Sequence, residues 1–184
     1  MRRGEDYTMS EPKVRRGEDY TISEERQAII DCVNRFSWAI DTLKPLTEYP
    51  DAFKAIFTDD FGLGLAREQV KNPDDVPVAM GRDAFAAFVA KVQGKYNGTQ
   101  HVNSNFDITL GADGTTAHVK TMCTNFHQLK DNTRFDYHGV YDDSMVKTAA
   151  GWRIKTRKQY PLFMQGAPAP VTAASSSSPF HSNC

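Results

Sequence analysis

No stretch of this sequence approaches the roughly 18 consecutive apolar residues that a membrane-spanning helix needs. The amino terminus is polar where a signal peptide would carry an apolar segment. The expectation is a cytoplasmic protein with no membrane partner. Cysteine is scarce: Cys32, Cys123 and Cys184 form an odd set without CxxC spacing, which argues against a disulfide framework and against structural zinc. Charge of one sign is also missing. The 22 basic and 23 acidic residues leave a net charge of -1 and no basic stripe, so a nucleic-acid partner is excluded. What the chain does have is 40% hydrophobic content and 11 Phe, 7 Tyr and 2 Trp in 184 residues, enough for one core and too little for two.

Both ends read as arms. Arg2 to Thr8 recurs as Arg15 to Thr21, an offset far shorter than the 20 residues or more of a structural repeat, so residues 1–22 read as a disordered arm carrying a short duplication. From Gln165 to Cys184 there is no Lys, Arg, Asp or Glu, and Ser175 to Ser178 sit among three prolines. Such a tail (165–184) cannot bury a core. The domain is thus expected over 23–164.

Within it, Thr21-x-x-Glu24 forms a capping box before Ile29, Ile30, Val33, Phe36 and Ile40, which predicts a first helix of about five turns. A second is predicted over Glu48 to Phe57, with Thr47 as cap and Pro50 in its first turn. Phe61 to Met80 predicts a short strand and a long loop, and Gly81 leads to a third helix with Phe85, Phe88, Val89 and Val92 on its apolar face. The period then changes from 3.6 to 2. Four strands are predicted: His101 to Leu110, Thr116 to Leu129, one through Tyr137 to Tyr141, and Trp152 to Phe163. Three helices followed by a curled antiparallel sheet make an α+β layout with a pocket between the layers.

Six pieces in order carry a resemblance: Phe36-x-x-x-Ile40-Asp41, Phe57-Thr58-Asp59-Asp60, Gly81-x-Asp83-Ala84, Thr99-Gln100-His101-x-x-x-Asn105, Gly139-x-Tyr141-Asp142-Asp143, and Gly151-Trp152-Arg153-Ile154 with Arg157. Over Glu24 to Phe163 the chain resembles the SnoaL-like branch of the nuclear transport factor 2-like superfamily. The resemblance implies a cone-shaped fold of three helices on a curved antiparallel sheet. Its members include polyketide cyclases, scytalone dehydratase, bile-acid dehydratase, a dehydrochlorinase, fungal meroterpenoid isomerases and the small subunits of aromatic dioxygenases, so fold alone does not fix function. In the dehydratase-like members a helix Asp and a strand His form a proton-transferring dyad assisted by an Arg or Tyr. Asp41, His101 and Arg157 fall on those positions. A carboxylate beside an imidazole fixes its tautomer and strengthens it as a base.

The pattern departs at Phe36, where relatives carry a Tyr or Lys that donates a proton; Tyr137, Tyr141 and Tyr160 are substitutes. It departs again at Asn125, where relatives place a His or Asp, with Thr121 and Cys123 on the same face by alternation. Asn34 and Ser37 share a polar helical stripe with Asp41. Asn105 is expected on the face of His101 and Asn103. The substrate-contacting set is therefore Phe36, Trp38, Asn105, Thr121, Cys123, Asn125, Tyr137 and Tyr141. His118, His127 and His138 come from separate segments without paired ligand spacing, so neither a metal nor an organic cofactor is expected. Asp59-Asp60 and Asp142-Asp143 read as turn-capping carboxylates.

The leading reading is a cofactor-independent lyase or isomerase, of dehydratase or cyclase type, acting on a hydrophobic carbonyl-bearing secondary metabolite such as a polyketide or terpenoid. The rival is a non-catalytic small-ligand-binding or assembly subunit. Epoxide hydrolysis ranks last, because it needs carboxylates flanking a water with Arg between them and only Asp41 reads as inward-facing. A homodimer is the expected assembly.

Overall fold

A computed structural model describes residues 18–42, 45–65, 78–79 and 81–166. Helix α1 spans Glu18–Thr42, a 3-10 turn covers Leu46–Glu48, and α2 spans Tyr49–Lys54. Strands β1 (Phe57–Leu65) and β2 (Val78–Ala79) precede α3 (Arg82–Gln93). Four long strands follow: β3 (Tyr96–Leu110), β4 (Thr116–Leu129), β5 (Arg134–Thr148) and β6 (Gly151–Gly166). The six strands form one curved sheet in the order β2-β1-β6-β5-β4-β3. All pairs are antiparallel except β1 with β6.

Several boundaries differ from the sequence expectation. α1 begins at Glu18, one turn before the Thr21 capping box. Residues 18–22 of the expected arm are therefore helical; residues 1–17 lie outside the described residues. The second helix stops at Lys54. Phe57 does not end it but opens β1, because Phe57 pairs with Ile154 of β6 and the Ile154 amide donates to the Ile56 carbonyl at 2.8 Å. β6 likewise runs past Phe163, with Gly166 registered against Phe135. The first two tail residues are thus strand, residues 167–184 lie outside the description, and so does most of the loop expected before Met80.

Alternation divides the sheet into two faces. The inner face, under the helices, buries Val119, Tyr141, Met145 and Ile154 together with several polar groups. Above it Phe36, Phe53, Phe57, Phe61 and Phe85 form one aromatic cluster with ring centroids as close as 4.4 Å. Tilted and edge-on contacts dominate, as ring quadrupoles favour. The outer face leaves Val102, Met122, Tyr160 and Phe163 partly exposed.

α1 positions the candidate site. It lies along β3, the strand at the end of the sheet, and covers that open edge. Arg26 donates to the Ile108 carbonyl at 2.9 Å, and the His101 amide, pointing away from β4, donates to Asp41 at 2.6 Å. Helix and edge strand are thereby pinned at both ends.

Candidate active site

Residues 34, 37 and 41 recur at helical spacing on α1, and residues 99, 101 and 103 alternate on β3, so a polar stripe of one element meets a polar stripe of the other. Asn103 donates to Ser37 Oγ at 2.8 Å and to Asn34 Oδ1 at 3.1 Å. Thr99 donates to Asp41 Oδ1 at 2.8 Å. His101 Nδ1 lies 2.7 Å from the same oxygen, with side chains only 6% and 16% exposed for His101 and Asp41. Burial works to raise the Asp41 carboxyl, but the His101 ring, the His101 amide and the Thr99 hydroxyl outweigh it and hold the group below its ordinary value. An ionised Asp41 accepts from Nδ1–H, which leaves His101 Nε2 as the atom able to take or give a proton.

A second imidazole stands beside the first. The His127 ring is 5.6 Å from that of His101 at 81°, and its Nδ1–H donates to the Phe135 carbonyl at 3.0 Å. Burial and the neighbouring His101 push His127 below its usual range, so it is neutral at pH 7 with Nε2 unprotonated. In the sequence His127 served only to discount a metal site. Alternation from Asn125 nevertheless places it on the inner face, and that was the signal available.

Arg157 occupies the inner face two strands away from β4, fully buried. Its Nε and Nη2 bond both oxygens of Asp143 at 2.8 and 2.7 Å, and its guanidinium stacks between Tyr141 at 4.1 Å and Phe36 at 4.8 Å. Burial pushes the Asp143 carboxyl up while Arg157 pulls it down; with two short charge-assisted bonds to a group that keeps its proton, the pair is ionic. Phe36 therefore links the two regions, edge-on to His101 at 6.3 Å and face-on to Arg157.

The other expected contact residues divide. Thr121, Cys123, Asn125 and Tyr141 are buried on the inner face, and Asn125 Nδ2 donates to the Tyr141 hydroxyl at 2.6 Å. Tyr137 shares this face, its ring folded over Gly139, where a Cβ would meet the Tyr137 hydroxyl at 2.6 Å. Burial raises the Cys123 thiol to about 11, which removes it as a nucleophile. Trp38 is 69% exposed, so it is a wall of the groove and not core.

Four expectations are overturned. Asn105 does not share the His101 face: a bulge between Ser104 and Asp107 puts it at φ 51, exposed. Tyr160 is on the outer face beside Val140 and cannot replace the missing donor. Asp142 and Asp143 cap no turn; they lie mid-strand, Asp142 turned outward to His118 and Asp143 inward to Arg157. Asp59 and Asp60 likewise lie within β1 and pair with Arg82 and Lys155. Among the described residues Asp41 and Asp143 therefore both face inward, where only Asp41 was expected to. Of these two carboxylates Arg157 bonds Asp143 alone, while the partners of Asp41 are His101 and Thr99, so the Arg-between-carboxylates arrangement that epoxide hydrolysis needs is not formed.

A groove of about 420 Å³ runs between α1 and β3, with Asp41 and His101 in its lining and Trp38 and Val102 as apolar walls. No group of three or more metal-ligating side chains occurs among the described residues, and none of the described helices is long and apolar enough to cross a membrane.

The SnoaL-like domain family matches residues 21–158. The chain belongs to that family. Its solved neighbours agree on the fold. A protein of Kribbella flavida is 22% identical over 78% of this chain and 95% of its own, with a TM-score of 0.65. A proposed scytalone dehydratase of Novosphingobium aromaticivorans is 23% identical over 86% and 99%, also at 0.65. A hexachlorocyclohexane dehydrochlorinase is 14% identical over 86% and 99%, at 0.60. No curated protein matches the chain. Within this SnoaL-like domain, the dyad lies inside the matched span, as do His127 and Arg157.

Proposed function

We propose that this SnoaL-like domain is a cofactor-independent lyase or isomerase that moves a proton on a hydrophobic, carbonyl-bearing small molecule of polyketide or terpenoid type. The observation that carries the reading is the 2.7 Å contact between Asp41 Oδ1 and His101 Nδ1, with the Phe36 and His127 rings against His101 and the Thr99 hydroxyl on Asp41. A binding module of the same fold has no need of a charged carboxylate aimed at a buried ring nitrogen.

In this reading His101 Nε2 accepts the proton from the carbon next to the carbonyl. Asp41 stabilises the imidazolium that results, and the same nitrogen returns the proton to another carbon or to a departing hydroxyl. Phe36 has no proton to give, which favours a reaction whose acid and base are one group. Isomerisation and cyclisation meet that condition. Trp38 and Val102 supply apolar walls for a flat substrate.

The test is exchange of solvent deuterium into the α-position of a panel of cyclic ketones, followed by NMR. His101→Ala and Asp41→Asn should each lower the rate by about 10²–10⁴, the usual contribution of a positioned acid-base group, with circular dichroism unchanged. Full exchange activity in both variants rules the mechanism out.

A further inference from the structure

Six side-chain polar atoms among the described residues are buried without a hydrogen-bond partner, and four of them belong to Thr121, Asn125, Tyr137 and Arg157. The register explains why they gather. Thr121 is opposite Tyr141, Asn125 opposite Tyr137, and Arg157 opposite Asp143, all on the inner face of adjacent strands. Folding selects against unpaired buried polar groups, and one sheet face holding four of them is a surface whose partner is not part of the chain. Asn125 is also registered directly against His101, so this floor and the dyad are neighbours.

Charge decides what the partner is. Asp143 takes Nε and Nη2 of Arg157 and leaves Nη1, so the guanidinium offers the two N–H of Nη1 with its charge already neutralised. The next charge in the site is the negative Asp41. A carboxylate or phosphate brought here would meet no net positive charge while losing its hydration, whereas a carbonyl or hydroxyl oxygen gains a donor at little desolvation cost.

We infer that Thr121, Tyr137 and Arg157 form a subsite for an uncharged oxygen function of the ligand, a ketone, ester or hydroxyl, with Asn125 Oδ1 beside them as an acceptor for a ligand hydroxyl, and that it rejects carboxylates in spite of its arginine. This rests on the proposal that the site takes a carbonyl-bearing molecule, and it adds where that oxygen is held and what charge it carries. Arg157 is then a hydrogen-bond donor and not an anion clamp.

The test is binding, which is independent of turnover. Dissociation constants of 2-acetylnaphthalene and 2-naphthoate, the same ring with a neutral and a charged oxygen function, are measured by calorimetry on the whole protein. The ketone should bind at least 10-fold more tightly. Asp143→Asn frees the guanidinium charge and should reverse the order. Thr121→Val and Tyr137→Phe remove unpartnered hydroxyls, so each should hold or raise Tm while weakening the ketone about 5- to 10-fold; these two decide the matter should Asp143→Asn not fold. Equal or tighter binding of the carboxylate to the unaltered protein, binding of neither probe, or a lowered Tm with ketone affinity intact would overturn the subsite. Loss of the proton-transfer reading shows instead as unchanged deuterium exchange in His101→Ala, with the binding preference untouched.

Discussion

Among the described residues two strand histidines pair with an aspartate at almost the same distance, and only one pair has the makings of a site. His101 Nδ1 is 2.7 Å from Asp41, and His118 Nε2 is 2.6 Å from Asp142. The first pair is nearly closed from solvent and its carboxylate accepts further bonds from the His101 amide and the Thr99 hydroxyl. The second sits on the outer face with the His118 side chain 49% exposed. Water competes for every interaction of an exposed pair, and free rotation blurs its geometry. Distance is therefore the less informative quantity; what fixes the ring and excludes water is the surrounding face.

The sharpest way to break that comparison is to remove both pairs in turn. His118→Ala and Asp142→Asn should leave deuterium exchange within about 2-fold, against the about 10²–10⁴ expected for the inner pair. A comparable loss from the outer pair would show that burial is not what distinguishes them.

Asp142 and Asp143 extend the contrast to adjacent residues. One faces out to His118, the other in to Arg157, because successive strand residues alternate. Asp143→Asn leaves a buried guanidinium without its countercharge and should cost about 3–5 kcal/mol in urea unfolding. Asp142→Asn should cost about 1 kcal/mol or less. Equal costs would mean the inner pair is hydrated.

The inner face should also carry the pH dependence. His127 is depressed below 6.5, so the unfolded chain binds the proton first; its contribution to stability is full above 6.5 and declines as pH falls toward the folded value. Asp41 is depressed below 3.8, so its contribution is present above 3.8 and is lost only as pH falls further, through the folded value. Thermal melts should show two separate windows. His127→Asn should flatten the upper one and Asp41→Asn the lower; an unchanged profile in either variant contradicts the assignment.

Much of this was legible because periodicity reports which way a residue faces. The shift from 3.6 to 2 located the four long strands, and the α1 stripe of Asn34, Ser37 and Asp41 was readable before its partners on β3 were known. What was not legible depended on register or on breaks in it. Asn105 leaves its expected face because of one bulge, an insertion that alternation cannot foresee. Arg157 finds Asp143 through pairing of β5 with β6, and Phe57 becomes strand through pairing with β6, over nearly 100 residues of sequence. His127 is different: alternation from Asn125 places it on the inner face, and only its closeness to His101 depends on the pairing of β3 with β4.

Trp38 gives the smallest expected effect and the clearest reading of the groove. It is 69% exposed on α1, so replacing it removes little buried area, and Trp38→Ala should change stability by no more than about 0.5 kcal/mol. A large aromatic held in the open at the mouth of a groove containing the dyad still has contact area to offer a ligand. The variant should therefore raise KM for a flat ketone several-fold with kcat little changed, since apolar contact of this kind binds ground and transition states alike. A fall in kcat at constant KM would place Trp38 against the reacting atoms. No change in either would mean that Trp38 gives the substrate no contact area.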